Sequence, residues 1–187
     1  MASLIARVGP AKLKPRRIPP FQSLVRAIIY QQLSGKAAET ILGRFQLLFA
    51  DGQFPSPEQV LQLKPERLRS AGLSQAKVSY VCGLAEQTLA GRLPTLKACE
   101  KLTDAEIVER LTEVKGVGRW TAEMFLIFNL ARPDVLPVHD LGVRNGFRIA
   151  YNKRKLPEPE PLERFGEKWR PYRTTAAWYL WRAVDSL

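Results

Sequence analysis

The chain has little of what disulfide-stapled, metal-centred or membrane-spanning proteins are built from. Its 187 residues include only two cysteines, Cys82 and Cys99, and one histidine, His139. Two cysteines are too few for a disulfide framework and are not spaced as metal ligands, which fits a reducing compartment and leaves both as small apolar residues of the interior. No apolar run approaches the length of a spanning helix, and the start, MASLIARVGPAKLKPRRIPP, has no signal-peptide core, so a soluble intracellular protein is expected. Strict apolar/polar alternation that would demand a strand is missing, as is any repeat of fixed period. What the chain has in excess is positive charge. Its 29 Lys and Arg against 18 Asp and Glu leave a net +11, and such an imbalance favours a polyanion, with nucleic acid ahead of a membrane surface.

Residues 1–20 carry five basic side chains (Arg7, Lys12, Lys14, Arg16, Arg17), four prolines and no acid. They are expected to form an extended basic arm that tracks a phosphate backbone, aids solubility or serves as a localisation signal. From Phe21 onward apolar residues recur at helical spacing, as in Leu24, Val25, Ile28, Ile29 and then Ile41, Leu42, Phe45, Leu48, Phe49. Breaks rich in Gly, Pro and charge fall at 51–57, 70–74, 91–94, 132–137 and 153–161. The expectation is an all-α core over 21–187, with about eight to ten short helices. The segment KRKLPEPEP should lead around the surface to a last, Trp-rich helix at 171–184.

The richest segment is LTDAEIVERLTEVKGVGRWTAEMFLIFNLA. Thr103 and Glu106 form a capping-box start for a helix ending near Val114, and 118–131 reads as a second helix. Only Lys115-Gly116-Val117-Gly118 joins them. Two glycines allow a tight reversal and a close backbone approach, with Val117 pinning the turn to the core. The second helix then offers its N-terminus to an anion, with Lys115 and Arg119 adding charge. This arrangement holds a DNA phosphate without reading sequence, although short glycine turns also join helices that bind nothing. Further on, Asp140 in LPVHDLGV opens a helix and by itself reads as an N-cap.

Taken together, VKGVGRWTA followed by LPVHDLGV resembles the helix-hairpin-helix DNA glycosylase superfamily, and within it the 3-methyladenine DNA glycosylase II group. The resemblance extends through FQSLVRAIIYQQLSGKAA, GLSQAKVSYVCGLA and KWRPYRTTAAWYLW. It implies two helical lobes flanking an active-site cleft, in a monomer acting on double-stranded DNA that contains alkylated bases. Compactness and the lack of a clear targeting segment give the cytoplasm of a bacterium, or the nucleus if the source is a eukaryote, as the expected location. The resemblance makes Asp140 the catalytic carboxylate and gives Lys115, Gly116, Val117, Gly118, Arg119 and Thr121 to a DNA phosphate. Bifunctional relatives have a Schiff-base lysine where this chain has Trp120, so hydrolysis without strand cleavage is implied.

The four closely spaced C-terminal cysteines of iron–sulfur relatives are missing, and no cofactor is expected. The resemblance does suggest a monovalent cation on the carbonyls of Thr112, Val114 and Val117. A base pocket is implied at Gln31, Trp120, Met124 and Trp181, where aromatic faces would stack on an electron-poor base. The wedge that fills the gap left by a flipped nucleotide is implied at Gln32, Leu33 and Ser34, with glutamine where other members have leucine. Gln31 and Gln32 also read simply as the polar end of a core helix. His139, where relatives often have a second Asp, reads as a surface or capping residue or as a base. A non-catalytic damage-binding protein is the alternative function.

Overall fold

The computed structural model describes residues 1–49 and 52–185, so the first residue of the break expected at 51–57 lies outside the described residues. All regular structure among the described residues is helical: α1 Ala2–Val8, α2 Pro20–Tyr30, α3 Gly35–Gln46, α4 Pro57–Gln62, α5 Pro65–Ser70, α6 Gln75–Leu89, α7 Leu96–Cys99, α8 Asp104–Thr112, α9 Arg119–Phe128, α10 Leu141–Ala150, α11 Pro159–Gly166 and α12 Arg173–Asp185, with a 3-10 turn at Glu167–Trp169. None of these helices is long and apolar enough to cross a membrane.

The twelve α-helices among the described residues exceed the eight to ten expected, because several are too short to show periodicity. Lys64-Pro65 splits α4 from α5, since proline disfavours helical backbone in the residue before it and sits well at the first helical position. α7 has only four residues. Segment 153–161 leads into α11 rather than directly to the last helix. The start signals are more legible. Ser56 with Gln59 and Thr103 with Glu106 both close reciprocal capping boxes. The Thr103 N–H and hydroxyl hold the Glu106 carboxyl below its usual range.

Two compact units divide the chain: Met1–Arg16 with Leu126–Leu187, and Arg17–Phe125. In the first, Leu136, Val138, Val143, Phe147, Leu162, Ala177 and Leu180 form a buried cluster, rimmed by Tyr151, Phe165 and Trp169. α10 and α12 approach closely at Gly146, where a Cβ would fall 1.9 Å from the Leu180 carbonyl oxygen. The loop before α10 is fastened to α12. Arg173 bonds both carboxylate oxygens of Asp134, at 2.7 and 3.1 Å, and Arg170 adds a third bond at 2.7 Å. The Thr174 hydroxyl donates to Arg132 O and accepts the Val135 N–H.

The N-terminal segment departs from the expected extended arm. Its prolines begin at Pro10, which leaves Leu4 and Val8 free to share one helical face. α1 lays Leu4 against Tyr179 and Ala183, and the Tyr179 hydroxyl donates to Gly9 O at 2.8 Å.

In the second unit, α6 packs on α2, α4 and α5, and α2 also packs on α3. Leu24, Val25, Ile28, Ile29, Leu42, Phe45, Val60, Leu68, Val81 and Leu84 are buried. α9 carries the chain from this unit into the first. It ends three residues before the expected 131, where Ala131 turns to a φ of +53° and the Arg132 N–H reaches back to Leu126 O at 3.0 Å, a bond that closes the C-terminus.

Candidate DNA-binding hairpin and carboxylate site

The hairpin between α8 and α9 is built by its main chain. Gly116 has a φ of +88°, and a Cβ there would fall 2.2 Å from the Tyr80 ring. Glycine is therefore required both for the backbone conformation and for the aromatic ring resting on it. The Val117 N–H closes the turn onto Val114 O at 2.9 Å, and the Val117 side chain is buried as expected. Gly118 O accepts the Ala122 N–H, the first bond of α9. Gly118 and Arg119 are exposed at this helix end, where the leading N–H groups have no intrahelical acceptor. Lys115 is exposed beside them.

Two of the proposed phosphate ligands behave differently from expectation. Thr121 is 1 % exposed and its hydroxyl oxygen accepts the Gln31 Nε2–H at 2.9 Å, so its side chain serves the interior and not a phosphate. Arg119 donates to Glu123 at 3.0 Å, one turn along the helix, which offsets part of its charge. The spacing of Arg119 and Glu123 was visible in the sequence as an i, i+4 pair.

The turn after α2 is tied to the same hairpin. Gln31 donates from Nε2 to Gly116 O at 3.0 Å as well as to Thr121. Lys77, at the start of α6, donates to Ile29 O and Gln31 O, both at 2.8 Å, satisfying carbonyls at the end of α2. Burial lowers the Lys77 pKa. Beyond this anchor the chain reverses at Gln32, which is exposed with a φ of +57°. Leu33 is 39 % exposed. Ser34, also exposed, caps α3 through its side chain, accepting the Ala37 N–H at 3.4 Å. On α9, Trp120 is half-buried and Met124 buried.

In the first unit, Asp140 is the N-cap of α10. Its Oδ1 accepts the Val143 N–H at 2.7 Å and the Trp181 Nε1–H at 2.8 Å. Trp181, expected as a pocket wall, is thus also a hydrogen-bond donor to the carboxylate. It stacks on Phe128, with ring centroids 5.5 Å apart and planes 27° from parallel. The Arg16 guanidinium lies 5.4 Å from the Phe128 centroid, and the Arg16 N–H donates to Phe128 O at 2.9 Å. The sequence reading missed Phe128 and Arg16. Their only signal was an aromatic at the end of the helix that begins at the hairpin, and one arginine among five basic residues of the supposed arm. His139 is exposed, in keeping with a surface residue.

The hairpin and the capped carboxylate are the two marks of one class of protein, enzymes that excise bases from DNA, and residues 25–171 match the HhH-GPD superfamily base excision DNA repair protein family. The chain belongs to this family. It is 44% identical over 163 residues to DNA-3-methyladenine glycosylase 1 of Schizosaccharomyces pombe, spanning 87% of this chain and 72% of that relative. A solved structure of the S. pombe 3-methyladenine DNA glycosylase in complex with abasic DNA superposes with a TM-score of 0.94 at 40% identity, covering 100% of this chain and 91% of that one. A DNA-3-methyladenine glycosidase of Bacillus halodurans superposes with a TM-score of 0.82 at 39% identity, covering 99% and 84%.

Proposed function

We propose that this protein is a monofunctional DNA glycosylase that flips alkylated purines, 3-methyladenine and 7-methylguanine, out of duplex DNA and hydrolyses the N-glycosidic bond to leave an abasic site. The observation that carries the reading is the Asp140 carboxylate, fixed through Oδ1 by a backbone and an indole N–H. Breaking an N-glycosidic bond builds positive charge on the deoxyribose, and a carboxylate held in place stabilises that charge as it develops. Asp140 also orients or deprotonates the attacking water. An alkylated base leaves readily, so the site needs little general acid catalysis.

The exposed N-terminal turn of α9, with Gly116, Gly118 and Lys115, holds a phosphate of the DNA backbone. Gln32 and Leu33, exposed at the tip of the turn after α2, fill the space vacated by the flipped nucleotide. Trp120, Trp181, Met124 and Gln31 receive the base. Trp120 stands in place of a Schiff-base lysine, so the reaction ends at the abasic site. The carbonyls of Thr112, Val114 and Val117 fit a monovalent cation: the donors are neutral oxygens, and Val114 O, which already accepts the Val117 N–H, keeps a second lone pair. Such an ion would add positive charge beside the phosphate.

The test is release of free base from methylated duplex DNA by wild type and by Asp140→Asn. Wild type should release 3-methyladenine or 7-methylguanine, leaving strands that break only on heating or in alkali. Binding to abasic DNA with no base release would make the protein a damage binder, and strand breakage without alkali would overturn the role given to Trp120.

A further inference from the structure

We propose that Phe128, secured by Arg16, and Gly142, by leaving room, act as positioning residues that hold the Trp181 indole against Asp140 and so set the plane of the carboxylate. The proposal rests on Asp140 being the catalytic carboxylate, but its central claim, that the indole and carboxylate are locked together, is measurable without catalysis.

An indole on a helix can rotate about two side-chain torsions, and only one orientation brings Trp181 Nε1 to 2.8 Å from Asp140 Oδ1. The Phe128 ring selects it by stacking nearly parallel at 5.5 Å. Phe128 itself lies at the last residue of α9, where a helix tends to fray. Arg16 restrains it twice, by its guanidinium 5.4 Å from the ring centroid and by its N–H on the Phe128 carbonyl. The final residues of the basic N-terminal segment therefore bear on the carboxylate site, a role the composition of that segment does not disclose.

Gly142 supplies the other half. A Cβ there would fall 2.8 Å from Trp181 Cδ1, 3.1 Å from Trp181 Nε1 and 3.0 Å from Asp140 Oδ1. The residue is inside α10 and the conflict is one of space, so any side chain would intrude on the indole–carboxylate pair. Oδ1 takes both the Val143 and the Trp181 hydrogen bonds, and losing the second removes the indole's share of the hold on the carboxylate plane. Misplacing a reacting group by about 1 Å can cost on the order of a hundredfold in rate.

The experiment measures single-turnover release of 7-methylguanine, affinity for a duplex containing an abasic site, and the indole N–H resonance of Trp181 in ¹⁵N-labelled protein, assigned with Trp181→Phe. Phe128→Leu should slow release about tenfold, or about 1.4 kcal/mol, with affinity unchanged within about twofold. Its Trp181 resonance should move toward that of a free indole and exchange faster with solvent. Phe128→Tyr keeps the ring and should restore both rate and resonance. Gly142→Ala should match Phe128→Leu or exceed it, and Arg16→Ala should slow release about threefold.

The proposal is overturned if Phe128→Leu releases base at the wild-type rate, if Phe128→Tyr is as slow as Phe128→Leu, or if rate and DNA affinity fall together. An inactive wild type would defeat the glycosylase reading alone. The lock would then stand or fall on whether Phe128→Leu and Gly142→Ala move the Trp181 resonance while Phe128→Tyr leaves it in place.

Discussion

The two units hold their functional groups by different means. In the first, side chains position a side chain: Phe128 stacks on Trp181, and Trp181 donates to Asp140. In the second, the hairpin and the turn after α2 are held through main-chain groups. Gln31 reaches Gly116 O, Lys77 reaches Ile29 O and Gln31 O, and Tyr80 rests where Gly116 has no side chain. The contrast suits the two tasks proposed for them. A phosphate is gripped by N–H groups that any residue supplies, so sequence matters there chiefly where the backbone lacks room. A carboxylate that must face developing charge needs a particular neighbour, and its geometry depends on the identity of several side chains.

If this division holds, substitutions in the two units should fail differently. The largest effect is expected from Asp140→Asn, which should reduce base release on the order of a hundredfold or more while retaining DNA affinity, as measured by single-turnover kinetics and by titration with abasic duplex. Gly116→Ala should do the reverse. Strain at positive φ and the collision with Tyr80 should cost about 2 kcal/mol of stability and about tenfold in DNA affinity, with release from saturated complex little changed. An equal loss of rate at saturation would break the comparison.

Lys77→Met, which keeps the length of the side chain but removes both hydrogen bonds, should lower stability by about 1 kcal/mol in urea unfolding and weaken DNA binding a few-fold. The smallest change should come from Asp134→Asn. Burial alone would raise the Asp134 pKa, but the hydrogen bonds and charges of Arg173, with Arg170, outweigh it and hold the pKa below 3.8. A depressed carboxyl pKa stabilises the fold above the unfolded value and loses that contribution as the pH falls through the folded value. Wild type should therefore melt higher than Asp134→Asn at neutral pH, and the gap should close as the pH drops below 3.8.

The helical class and the hairpin were legible in the sequence because their signals are local. Thr103 and Glu106 form the box that their spacing announces, and Gly116 occupies the left-handed conformation the turn requires. Asp140 was legible as the cap it is, while its catalytic role is a proposal that rests on resemblance. What escaped were consequences of distant pairing. The Thr121 hydroxyl, three residues past Gly118, faces Gln31, ninety residues earlier. Leu4 becomes a core residue only because α12 brings Tyr179 and Ala183 beside it. A basic, proline-bearing composition averaged over twenty residues concealed the short helix ahead of the first proline.

Gln31 carries one more implication, about the polarity of what it can recognise. Its amide nitrogen has two hydrogens, and both are spent inside the protein, on Gly116 O and on the Thr121 hydroxyl. Because Gly116 O can only accept, the amide cannot be turned around without losing that bond. Whatever meets this side chain from outside finds a carbonyl oxygen alone. Gln31 thus speaks as an acceptor: an exocyclic amino group can answer it, whereas a keto oxygen or an unprotonated ring nitrogen finds no donor there.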